Sequence, residues 1–317
     1  MVGSGTTGPE TDEMKKTLKR VALGILAILI VVGGGGGIYA CVQTGKYDAS
    51  MDKVYDVKPL ALQRSTDAAV LARGQHLTEA VAACAGADCH GPNLAGGATL
   101  AMGPLGTLTA PNITSAGLGA AYSDGELARL IRHGVKKDGR SLRFMPAQDF
   151  NWLPDSDVVA IISYLRTVPP VEKPNGVIQV KTLAKILDVR DAFAMDVARR
   201  INHANVEIAP PPTPTAEYGK FVTRMCTGCH GATLSGGPLP GAPSSFPPPL
   251  NLTPHESGLK GWTYEDFDKL LTQSRRRNGQ ALKPFMPTEA FGKMDETEKR
   301  AVFAHLQTLP PVPYGNR

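Results

Sequence analysis

The longest apolar stretch of the sequence lies near its start. Residues 21–42 carry no charge, and Lys15, Lys16, Lys19 and Arg20 stand just before them. A helix rising about 1.5 Å per residue takes such a stretch across a hydrocarbon layer of about 30 Å. The basic residues hold segment 1–20 in the cytoplasm and send the rest of the chain outward. The glycine run 33–37 weakens this helix, since glycine costs roughly 1 kcal/mol per residue in an exposed helix, although membrane helices tolerate it better.

Beyond residue 55 the apolar positions fall at helical spacing and show little alternation. Segments 67–83 and 215–225 each read as a helix running up to a pair of cysteines. Ile161, Ile162 and Leu165 form an apolar face matched by Val302, Phe303 and Leu306. Ser123 and Thr263 cap a middle helix, Asp295 and Glu298 have capping-box spacing, and Pro310 stops the last helix. A further stretch of helical spacing covers 183–201. The pattern predicts an all-α chain, with no sheet.

These elements are written twice. His90 and His230 are 140 residues apart, and Asn112 and Asn251 are 139 apart. Met145 and Met286, each inside a Phe-Met-Pro sequence, are 141 apart. Asn93-Leu94-Ala95-Gly96-Gly97 is echoed by Thr233-Leu234-Ser235-Gly236-Gly237, and 164–170 by 305–311. A repeat of this length predicts two modules, 55–170 and 213–317, joined by a connector over 171–212 whose prolines at 210–214 favour a stiff extended segment. A second proline-rich stretch, 238–249, reads as an ordered surface loop. The chain of 317 residues is long enough for two cores besides the anchor at 21–42.

The net charge is +5, with a fifth of the residues charged, which is too mild for a nucleic-acid grip and predicts no such partner. The amino-terminal stretch also has two other readings. One is a cleavable signal from Met14 onward; the other is a lipoprotein box at Ile38-Tyr39-Ala40-Cys41, with Cys41 as the lipid carrier. All three readings export the remainder.

The chemistry lies in the other four cysteines. Cys226-Thr227-Gly228-Cys229-His230 is the attachment signal for c-type haem, since two thiols one helical turn apart reach two vinyl groups and deliver the adjacent imidazole to the iron. Taken alone, the pentapeptide also suits half a zinc site or a redox dithiol. Methionine decides between them: Met286 stands 56 residues after His230 and Met145 stands 55 after His90, the same offset each time. His/Met ligation fills both axial positions of a haem iron. Cys84 and Cys89 flank four residues instead of two, leaving open two thioethers, one thioether at Cys89, or no covalent haem there. Asn112 and Asn251 suit either a haem propionate or their own backbone turn. The arginines at 275–277 read as a solvated face or an acidic docking site, and His76, His133, His203, His255 and His305 read as ordinary.

On these motifs, together with Arg73-Gly74-Gln75-His76-Leu77, Pro111-Asn112-Ile113-Thr114, His133-Gly134-Val135 and Asp138-Gly139-Arg140, the chain resembles a membrane-anchored dihaem class I c-type cytochrome over residues 55–311. It is similar to the cytochrome subunits of bacterial alcohol, gluconate and fructose dehydrogenases. The resemblance implies two tandem cytochrome c domains behind a single-pass helix in the cytoplasmic membrane, with both domains periplasmic. It implies two haem c groups bonded to Cys84, Cys89, Cys226 and Cys229, their irons held by His90, Met145, His230 and Met286. The function expected is electron transfer without substrate chemistry. It links a dehydrogenase or quinol-oxidising complex to a terminal oxidase or soluble cytochrome. A dihaem peroxidase needs one iron left open, and a haem-based gas sensor needs a methionine that leaves; these are the rival functions.

Overall fold

The computed structural model describes residues 9–87, 89–204, 208–240, 242, 246–283 and 285–317. Part of the proline-rich loop expected at 238–249 lies outside the described residues, as does Asp88 of the first cysteine motif. The chain divides into two units, Met1–Lys46 and Tyr47–Arg317.

Helix α1, Pro9–Asp52, runs unbroken through the glycine run. Its stretch Glu13–Asp52 is long and apolar enough to cross a membrane. Side chains such as Ile25, Ile28 and Leu29 stand more than half exposed, as expected of a surface that meets lipid rather than protein.

In the second unit, α2 (Ala68–His76) starts where Asp67 accepts from the Ala69 and Val70 amides, and it continues into a π-turn, Leu77–Val81. After the short α3 (Leu118–Ala121), α4 (Asp124–His133) opens with the Ser123–Glu126 capping box and ends at Gly134 in the left-handed region. Next come α5 (Asp155–Leu165) and α6 (Thr182–Val189). The following helices are α7 (Ala216–Val222), capped by Thr215, and α8 (Arg224–His230). Helix α9 (Tyr264–Gln273) begins with the Thr263–Asp266 box; then come α10 (Thr288–Phe291) and α11 (Glu296–Thr308), the last opened by Asp295–Glu298. The caps expected at Ser123, Thr263 and Asp295 are therefore in place.

Helix α2 crosses α5, and α7 crosses α11. Both crossings are close because a glycine faces a carbonyl: a methyl on Gly74 would collide with Ala160 O, and one on Gly219 with Ala301 O. Length alone predicts two cores, yet the buried apolar residues of both crossings form one cluster. Leu77, Trp152 and Ile161 share it with Phe221, Val302 and Leu306. Trp152 and Phe221 bridge the halves edge to face, with ring centroids 4.4 Å apart.

Two sequence expectations need correction. The chain is largely helical but carries a small antiparallel sheet, with β1 (Thr99–Ala101) beside β2 (Gly106–Thr109) and β2 beside β3 (Gln179–Val180). Thr99 pairs with Thr109, and Thr107 pairs with both Ala101 and Gln179. Strands of two to four residues are too short to show alternation. Segment 183–201 is also not one helix. The buried Asp188 carboxylate accepts the Met195 and Asp196 amides, turning the chain back after α6. The connector packs Ala184 and Met195 with Met51, Met102, Leu105 and Leu108 in an apolar cluster of its own.

Candidate functional site

The turn of helix α8 carries Cys226, Cys229 and His230. His230 is buried, and its Nδ1 donates to Leu250 O at 2.7 Å. His90 repeats this bond, from Nδ1 to Pro111 O at 2.8 Å. A carbonyl can only accept, so each ring keeps its proton on Nδ1 and leaves Nε2 with a free lone pair, the state in which imidazole binds a metal. Burial reinforces it, lowering His90 and pushing His230 down to about 4, so both stay neutral.

The carbonyls that receive these protons are themselves fixed. Asn112, next to Pro111, accepts from the Thr114 amide at 3.0 Å and donates to Val171 O at 2.8 Å. Asn251, next to Leu250, does the same with Thr253 and Val312, at 2.8 and 2.7 Å. Both amides are engaged with backbone, which decides the choice left open by the sequence in favour of the turn. Their role is to tie the loop carrying each carbonyl to the extended segment after the Pro-Pro pair.

All four cysteines of the two pairs are free. Cys84 and Cys226 are partly buried and Cys89 and Cys229 exposed; desolvation pushes both inner thiols up to about 12. The longer first motif closes on itself, with His90 N bonded to Cys84 O and Cys89 N to Gly86 O, both at 2.9 Å. Its approach is longer too. Thr78 bonds Gly74 O and Thr223 bonds Gly219 O in the same way, at 2.7 and 2.6 Å. From that shared point His90 is 12 residues away and His230 only 7, so the first half holds five extra residues. The π-turn Leu77–Val81 takes up part of the surplus.

A cytochrome c family model matches residues 71–169. Residues 71–169 are a cytochrome c domain. The chain is 25% identical over 264 residues to the fructose dehydrogenase cytochrome subunit of Gluconobacter japonicus, covering 76% of this chain and 52% of that one. It is 26% identical over 284 residues to the alcohol dehydrogenase (quinone) cytochrome c subunit of Gluconacetobacter polyoxogenes, covering 80% and 59%. Over 107 residues, 31% of this chain and 24% of the relative, it is 35% identical to the gluconate 2-dehydrogenase cytochrome c subunit of Pantoea cypripedii. The chain spans just over half the length of the first two relatives.

The cytochrome c domain contains Cys84, Cys89, His90 and Met145 and implies covalently bound haem c. Two free thiols beside an imidazole with an open Nε2 fit that group. Met145 and Met286 are partly buried and pack on the same apolar cluster as Cys84 and Cys226. Each methionine follows a phenylalanine in the left-handed region, Phe144 at φ 67° and Phe285 at φ 96°. Such a backbone costs a non-glycine residue about 1–3 kcal/mol, a strain typical of sites where a side chain must be aimed. The sequence shows Phe-Met-Pro twice but not this strain. Of the basic run at 275–277, Arg277 pairs with Asp266 at 3.3 Å and Arg275 donates to Gly279 O at 3.1 Å, so both serve their own loop.

Proposed function

We propose that the chain is a dihaem electron carrier. Two class I cytochrome c domains, 55–170 and 213–317, are held by a helix through 21–42 to the cytoplasmic membrane, with both domains on its periplasmic side. The observation that carries this reading is the recurrence at His90 and His230 of an imidazole fixed through Nδ1 to a backbone carbonyl and preceded by two free thiols. Haem c is bonded through Cys84 and Cys89 in the first domain and through Cys226 and Cys229 in the second. His90 with Met145, and His230 with Met286, are the axial ligands.

When bound, each haem accepts and releases one electron at a time. The polypeptide holds both imidazoles neutral, aims the two methionines and keeps water from the inner thioethers. Filled axial positions favour a carrier over a peroxidase or a gas sensor. The relatives named as cytochrome subunits of fructose, alcohol and gluconate dehydrogenases support a dehydrogenase or quinol-oxidising complex as donor. A terminal oxidase or soluble cytochrome is the acceptor.

The test is the covalent haem content per chain, from the pyridine haemochrome spectrum of protein matured in a host competent for c-type assembly. Two haems with saturated vinyl groups are expected. One haem would reduce the chain to a single redox centre and sink the dihaem reading.

A further inference from the structure

We propose that Asp149 is a proton-coupled group of the second haem site, so that an electron taken up there is accompanied by a proton from solvent. The inference rests on the dihaem reading above. Asp149 ends the 3-10 turn Ala147–Asp149 of the first half, just past Met145, and this turn packs on α8 of the second. Its carboxylate lies against Gly228, between Cys226 and Cys229, so close that any side chain at 228 would strike it. An acid of one half therefore sits on the haem-attachment turn of the other.

The charged and titratable groups on the surrounding elements are already committed or lie outside its reach. From α4, Arg129 bonds Val57 O and Lys136 O, Arg132 pairs with Asp155, and His133 meets His203. From the turn Ala198–Arg200, both arginines pair with Asp188 and Asp191. From α8 come Arg224, Cys226, Cys229 and His230, with Arg317 near Cys229. None of them offsets the loss of water at Asp149, which by itself raises the carboxyl to about 7. The Asp149 charge is felt in return, since it helps to raise both the Cys226 and the Cys229 thiols. Thioether formation removes those two titrations and leaves the carboxyl.

A ferric haem carries one more positive charge than a ferrous one, so oxidation favours the carboxylate and reduction the acid. On reduction, Fe(III) gains one electron from the donor and the Asp149 carboxylate gains one proton from water; on oxidation both leave. The first haem lacks this coupling. The counterpart of Asp149 is Ala290, whose amide bonds Pro287 O as that of Asp149 bonds Pro146 O.

The full chain, matured with its haems, is titrated on a poised electrode with optical readout at pH values on either side of neutrality. One of the two potentials should fall as pH rises, by up to a tenfold shift in the reduction equilibrium per pH unit, about 59 mV for one electron. Asp149→Asn should flatten that slope and leave the other haem unchanged. Asp149→Ala, which installs the residue found at the matching position, should do the same if the amide disturbs packing. Two bound haems with flat potentials, or a slope that survives both substitutions, would overturn the coupling and leave the carrier reading standing. Failure to find haem at Cys226 and Cys229 would overturn both.

Discussion

Asn112 and Asn251 act one step removed from the chemistry. Each fixes the loop whose preceding carbonyl sets the tautomer of a histidine, and the equal spacing in both halves is what makes them visible in the sequence. Their role was not legible there, because an amide that bonds its own turn and one that bonds a ligand leave the same residue. The methionines are the reverse case: their offset from the histidines exposed them, while the left-handed phenylalanine before each is a property of the fold. Met286→Ala should leave the haem covalently attached, abolish the methionine-to-iron absorption band and lower that potential, read by absorption spectroscopy and redox titration. An unchanged band and potential would remove Met286 from the ligand set.

Among elements, the helices and their caps could be read from the sequence because capping residues and apolar spacing act locally. The small sheet could not, since it joins a hairpin at 99–109 to Gln179–Val180, far along the chain. Nor could the break after α6, which depends on one buried carboxylate. The unequal cysteine spacing hinted at the five-residue surplus, but its larger part lies before Cys84 and shows only once Thr78 and Thr223 are superimposed by their bonds. The helix crossings carry a clear expectation. Gly219→Ala should push α7 off α11 and destabilise the protein by about 1–3 kcal/mol, the usual cost of overpacking, measured by denaturant unfolding. Stability equal to the parent's would mean that the crossing yields without cost.

At the scale of the whole molecule the repeat was legible and the pairing of its copies was not. His76 and Arg73 of α2 meet Glu298 of α11, buried at 1% exposure, at 2.7 and 3.2 Å. The Glu298 hydrogen bond outweighs burial and raises His76 above its ordinary 6.5, with Asp295 adding to the effect and Arg73 opposing it. Because the folded value is raised, the stability from this contact is fully present below 6.5 and is lost as pH rises through the folded value. Chemical denaturation midpoints should therefore fall over that window for the parent and change less for His76→Gln. Parallel pH profiles would show that the bond adds nothing to the union of the halves.

The shared core also limits what can be done with either copy. A gene trimmed to 213–317 would encode the shorter motif but strip Phe221 of Trp152, leaving an oily face open to water. Such a fragment invites aggregation and precipitation, so a biosensor or bio-electrode designer who wants one haem should keep the full pair and disable the unwanted site.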